Sequence, residues 1–159
     1  MSIRNCGQMY KEACNGVESP PIGITKRFGS NVLLLNILNV IRIIFHNTYY
    51  LVEFYASGNE ITGNPAKLLN MTDYLVEFYA SGNKLKFDLE SLKIGKTLKD
   101  LDISRNLVFG KLPKNVAGLR MLNVSHNHLC GQLLATKFTA SAFVGNDCLC
   151  GSPLPACKA

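Results

Sequence analysis

The chain lacks most of the short signatures that carry chemistry. No Cys-x-x-Cys pair is present, which removes a thioredoxin-like redox site. There is no glycine-rich phosphate loop and no metal-ligand set, so nucleotide and metal chemistry lose their usual handles and no cofactor is expected. Only three histidines occur, His46, His126 and His128, and none stands in a Ser-His-Asp or Cys-His arrangement. Acidic residues are scarce, 11 against 17 Lys and Arg, giving a net charge of +6. Nine of those bases and four acids fall between Lys84 and Arg120. Such a field attracts acidic polymers. Without a nucleic-acid motif or aromatic platform beside the bases, nucleic acid is not the expected partner, whereas a polyanionic glycan would feel the same attraction.

Long apolar runs are missing too. The longest, Val32 to Phe45, has about 14 residues and is interrupted by Asn36, Asn39 and Arg42. A membrane helix needs about 20, so membrane association is not expected. The chain opens without a hydrophobic stretch, so no ordinary signal peptide is recognisable.

What is present is repetition. The decapeptide YLVEFYASGN occurs at Tyr50–Asn59 and again, unchanged, at Tyr74–Asn83. Two diverged copies follow at Leu98–Pro113 and Leu119–Leu134, and all four share the frame L-x-x-[LF]-x-[AIV]-S-x-N-x-[ILV]. Its asparagines are Asn59, Asn83, Asn106 and Asn127, at intervals of 24, 23 and 21 residues. That spacing lies within the roughly 20–29 residues of leucine-rich repeats. A duplicated segment is tolerated when it is one whole turn of a solenoid, because each turn touches only its neighbours.

The frame predicts an α/β repeat solenoid: a short right-handed leucine-rich repeat superhelix with parallel strands on the concave face. Alternate side chains of a strand face opposite ways. Phe54 and Ala56 should therefore point inward, and Glu53, Tyr55 and Ser57 toward solvent. Each asparagine should leave the strand with its amide satisfying backbone groups inside the turn, building a ladder through the stack. The expected organisation is a non-repeat segment over residues 1–50, four repeats over 51–134 and a cysteine-containing C-terminal cap over 135–159.

The six cysteines are Cys6 and Cys14 near the start, whose pairing stays open, and Cys130, Cys148, Cys150 and Cys157 near the end. The later group fits zinc spacing poorly and reads as a disulfide-stapled cap over the last apolar turn, implying an oxidising compartment and secretion. Two glycosylation sequons, at Asn70 and Asn123, agree with that. Asn123 falls on the solvent face of a strand, where a glycan would cover part of the concave surface. The Val32–Phe45 run reads best as a strand or helix covering the open edge of the first repeat. An internal signal-anchor and a mis-joined reading frame are the alternatives.

Over the last sixty residues the sequence LDISRN…GKLP…LNVSHNHLCGQL…F…NDCLCGSPLPACK resembles the C-terminal end of plant polygalacturonase-inhibiting proteins and their relatives, the floral-organ-regulator-like leucine-rich repeat proteins. The likeness extends upstream through VEFYASGNKLKFDLESLKIGKTLKDLDISRN and covers about two thirds of the chain. It implies a secreted glycoprotein of the plant cell wall or apoplast that binds pectin-degrading enzymes in plant defence. It also implies the pairings Cys130–Cys148 and Cys150–Cys157. Carried over by position, the partner-facing residues would be Glu53, Tyr55, Glu77, Tyr79, Asp100, Asp102, Met121 and Asn123. Family members carry about ten repeats, and this chain shows four. Gly63 and Pro65 are one residue too close, Phe87 replaces a glycine, and Leu134 stands where a proline is usual.

The functional expectation is a non-enzymatic, extracellular protein-binding module whose partner is a fungal or insect polygalacturonase. The alternatives are a floral-regulator-like scaffold or signalling partner, and a truncated non-inhibitory relative. Acids on stacked strands could approach glycosidase spacing. The face is too open to desolvate a carboxylate, so catalysis is not expected.

Overall fold

The computed structural model describes residues 24–27, 51–71 and 74–158. The apolar run Val32–Phe45, with its capping and signal-anchor readings, lies outside the described residues, as do Cys6, Cys14 and His46. The strands are β1 (Ile24–Arg27), β2 (Leu51–Tyr55), β3 (Thr62–Gly63), β4 (Glu77–Tyr79), β5 (Lys84–Leu85), β6 (Asp100–Asp102), β7 (Phe109–Gly110), β8 (Met121–Asn123), β9 (His128–Gln132) and β10 (Cys148–Cys150). One short helix, α1 (Ala66–Met71), and 3-10 turns at Lys114–Gly118 and Ala140–Ala142 complete the described elements.

The main sheet is parallel and five-stranded, in the order β1-β2-β4-β6-β8. It begins one strand before the first copy of the repeat frame: β1 pairs with β2, placing Lys26 opposite Phe54 and Arg27 opposite Tyr55. Two smaller sheets, β10-β9-β7 and β3-β5, run along a second side of the stack. The four copies of the frame thus become four turns, each giving one strand to the main sheet.

The core is built from rows of equivalent residues. Phe54, Phe78, Leu101 and Leu122 are consecutive partners across the sheet, and all are buried. Ala56, Ala80, Ile103 and Val124 form a second buried row, and Ile61, Leu85, Val108 and Leu129 a third. The Phe54 and Phe78 rings stack at 4.8 Å between centroids, 9° from parallel. Burying a side chain of this size contributes roughly 1.5–3 kcal/mol, so each turn brings its own share of core. Phe87, at the position where the frame elsewhere has glycine, is buried and enlarges this core.

The asparagines form a buried ladder. The Asn106 Nδ2 donates to the carbonyls of Ala80 (2.9 Å), Ile103 (3.1 Å) and Ser104 (3.0 Å). Its Oδ1 accepts the Leu85 N–H at 3.0 Å. Asn83 and Asn127 repeat this pattern one turn earlier and one turn later. Asn59 donates to the Ala56 and Ser57 carbonyls. A further rung stands inside the cap: Asn146 donates to the Val124 and Phe143 carbonyls and accepts the Leu129 N–H at 3.0 Å. The cap is therefore a degenerate turn, with Phe143 buried next to Val124 and joined through Val124 N–H to the Ala142 carbonyl at 2.9 Å.

The residue before each rung takes the left-handed conformation: Gly58 (φ 68°), Gly82 (64°), Arg105 (53°), His126 (55°) and Gly145 (73°). Glycine adopts it freely and other residues at a cost. His126 owes its place to this turn. Disulfides join Cys130 to Cys148, where β9 and β10 are in register, and Cys150 to Cys157.

Candidate functional site

The solvent side of the main sheet carries two rows of side chains flanking the buried Phe54–Leu122 row. One row runs Glu53, Glu77, Asp100, Met121, and the other Tyr55, Tyr79, Asp102, Asn123. Strict register places all eight sequence-predicted partner residues on one face, because parallel strands of equal frame stack equivalent positions.

The two halves of the face differ chemically. Toward β2, the Tyr55 and Tyr79 rings stack at 5.2 Å, 7° from parallel, and both are part-exposed. The Tyr55 hydroxyl donates to Glu77 on the next strand, and the Tyr79 hydroxyl to Asp100 Oδ2 at 3.3 Å. The pair is an aromatic step with its hydroxyls held by acids, a rigid surface that can offer both apolar area and polar edges. Toward β8, Asp102 and Asn123 turn their acceptors to their own strands. Asp102 Oδ1 accepts from the Ser104 N–H (3.0 Å) and hydroxyl (2.7 Å), and Asn123 Oδ1 from those of Ser125 (3.2 and 2.8 Å). Asn123 Nδ2 also reaches Asp102 Oδ2 at 3.5 Å.

Asp100 departs from the expectation of a solvent-facing acid. Its side chain is 5% exposed because Arg120 lies across it, while the Arg120 side chain is 68% exposed. Arg120 Nε donates to Asp100 Oδ1 at 2.9 Å, Nη2 donates to Asp100 Oδ2, and Nη2 approaches Glu77 Oε1 at 3.4 Å. This side-on, two-point pairing matches the guanidinium fork to a carboxylate. The hydrogen bonds from Arg120 hold the Asp100 carboxyl below its ordinary range, outweighing the opposite effect of burial. Burial, then the charges of Asp100 and Glu77, push the Tyr79 phenol up. Asp100 thus stays ionised at neutral pH and is poorly suited to donate a proton. In the repeat frame Arg120 aligns with Val52, Val76 and Lys99 rather than with a solvent-row position, so alternation alone does not reveal it. The substitution of a long cation for valine at a strand entrance was the available signal.

Asn70 is exposed at the end of α1. Among the described residues no group of three or more His, Cys, Asp or Glu side chains could hold a metal, and no helix is long and apolar enough to cross a membrane.

No protein-family profile matches the chain. Individual proteins do. Polygalacturonase inhibitor 2 of Arabidopsis thaliana is 37% identical over 115 residues, covering 67% of this chain and 35% of that protein. The leucine-rich repeat protein FLOR 1 of the same plant is 38% identical over 108 residues, 64% of this chain and 32% of FLOR 1. The chain spans about a third of the length of the curated relatives it matches. Among solved structures, a plant ice-binding protein superposes with a TM-score of 0.65 at 32% identity, over 70% of this chain and 38% of that one. A chain of the BIR3–SERK2 complex from Arabidopsis thaliana gives 0.59 at 32%, over 69% and 62%.

Proposed function

We propose that this chain, which over its C-terminal two thirds belongs to the plant leucine-rich repeat family of the polygalacturonase inhibitors and FLOR 1, is a non-enzymatic extracellular module that binds a protein on its concave face. The finer reading is that the partner is a polygalacturonase and that binding slows pectin breakdown at the plant cell wall. The observation that carries it is the stacked Tyr55–Tyr79 step bordered by Glu53, Glu77 and the Arg120–Asp100 pair. Rigid aromatics beside fixed charges are what hot spots of protein interfaces use. Tyr55, Tyr79, Glu53, Glu77 and Arg120 supply the contacts in this reading. Asp100 positions Arg120, and Asp102, Met121 and Asn123 form the opposite rim.

A second reading is a scaffold for another plant protein. It draws on the likeness to FLOR 1.

The test is binding of the oxidised chain to a panel of fungal endopolygalacturonases, with residual hydrolysis of polygalacturonate measured in parallel. Inhibition that weakens at least tenfold in Tyr79→Ala, and is unchanged in Phe109→Ala on the second sheet, supports the first reading. No association with any enzyme by cooperatively folded protein moves the weight to the second.

A further inference from the structure

Parallel strands use alternate residues toward alternate neighbours. In β8, Met121 N–H donates to the Lys99 carbonyl at 3.1 Å and the Asn123 carbonyl accepts the Ile103 N–H at 3.0 Å, so both residues face β6. Leu122, between them, turns its N–H and carbonyl the other way. In β6 the corresponding residue, Leu101, pairs with β8. Among the described residues no further main-sheet strand follows β8. The cap closes only the downstream half of this edge, through Val124 N–H to the Ala142 carbonyl at 2.9 Å and His126 N–H to the Val144 carbonyl at 2.8 Å. At Leu122 there is instead an open groove of about 380 Å³ between β8 and residues 137–142.

The chemistry of the groove is one-sided. Arg120 and Lys137 are among its lining residues, and no carboxylate is. Arg120 is already paired with Asp100, whereas Lys137 has no ion pair among the described residues and sits 5.4 Å from the centre of the Phe138 ring. Phe138, Thr139 and Ser141 form the facing wall, with the Thr139 and Ser141 hydroxyls 2.7 Å apart.

We propose that this groove is a second interaction site, next to the aromatic step and sharing Arg120 with its border, that takes an extended acidic peptide segment. The peptide adds to the β8 edge at Leu122 and sets a carboxylate against Lys137. Strand addition supplies backbone hydrogen bonds, while side-chain pockets and charge supply selectivity.

The test is a displayed random heptapeptide library panned against the full oxidised chain, with the enriched peptides then measured on two exposed-position variants, Lys137→Glu and Ser141→Arg. Enrichment of acidic sequences whose affinity falls at least tenfold in both variants, together with slowed hydrogen exchange at the Leu122 amide, is the expected result. Failure to enrich any peptide, enrichment of basic or charge-neutral sequences, or affinity that both variants leave unchanged would overturn the proposal. The aromatic-step variant Tyr79→Ala should leave peptide affinity intact, which separates this site from polygalacturonase binding.

Discussion

Arg120 closes over Asp100 from the neighbouring turn, just ahead of β8, and the two make opposite uses of solvent: the carboxylate is buried and the guanidinium is exposed. This pair, with Tyr79 and Glu77 around it, converts four positions on three neighbouring turns into one network.

Acid should weaken the fold through this pair. The Asp100 carboxyl lies below its ordinary value of about 3.8 in the folded chain. A depressed carboxylate contributes stability that is fully present above the unfolded value and is lost as pH falls through the folded one. The urea midpoint of the native chain should therefore fall as pH drops below about 4. In Asp100→Asn the neutral-pH midpoint should be lower and this part of the acid slope absent. Denaturation curves across pH 2.5–7, a range of roughly the usual acid limb, check it.

The ladder predicts unequal asparagines. Asn106→Ala strands the Leu85 N–H and weakens three buried carbonyls. Each buried group left unpaired costs about 1–3 kcal/mol, so the total should reach roughly 3 kcal/mol or more. Asn64→Ala removes only an exposed cap on the Ala66 N–H and should cost about 1 kcal/mol. Thermal melts of the two variants should differ accordingly, and equal losses would contradict the ladder's role.

Arg105 and His126 occupy a turn position that glycine fills in three other turns. Arg105→Gly relieves a left-handed side chain but adds freedom to the unfolded chain. The net gain should be about 0.5 kcal/mol, or roughly 2 °C in Tm. Calorimetry of that variant, in which Asn106 is untouched, gives the sign directly.

The two disulfides close loops of different length, with sequence separations of 18 and 7. Loop entropy assigns about 3 kcal/mol to the first and about 2 kcal/mol to the second. Replacing the pair Cys130 and Cys148 by alanine should cost more than replacing Cys150 and Cys157. The first pair also ties the degenerate cap turn to the last full repeat. Urea midpoints of both double variants test the order.

Asn70 should carry a glycan when the chain is made in a secretory host, and Asn123 should not. A glycan would be joined to Asn123 Nδ2, the atom that reaches Asp102 Oδ2, while Ser125, the hydroxyl of its own sequon, is buried against Asn123 Oδ1. Peptide mapping after deglycosylation in heavy water reads both positions.

Much of the fold was legible because a solenoid is nearly one-dimensional. Once Leu51, Phe54 and Ala56 are recognised as one turn, the next turns follow by translation, and so do the eight face residues. Two features escaped for physical reasons. The strand Ile24–Arg27 lacks the leucine frame and is found only by its pairing with β2. The rung at Asn146 sits in a turn whose apolar positions are mostly degenerate, so only its hydrogen bonds to Val124, Phe143 and Leu129 reveal it.

The sequence by itself determined the repeat length, the inward rows and the asparagine positions, because these depend on periodicity alone. Tertiary structure decided which face residues are available. Asp100 and Glu77 are equivalent in the repeat, yet Asp100 is covered and Glu77 part-exposed, because Arg120 reaches across from the next turn, twenty residues on. That contact depends on side-chain length and on the stacking of neighbouring turns, which no single repeat contains.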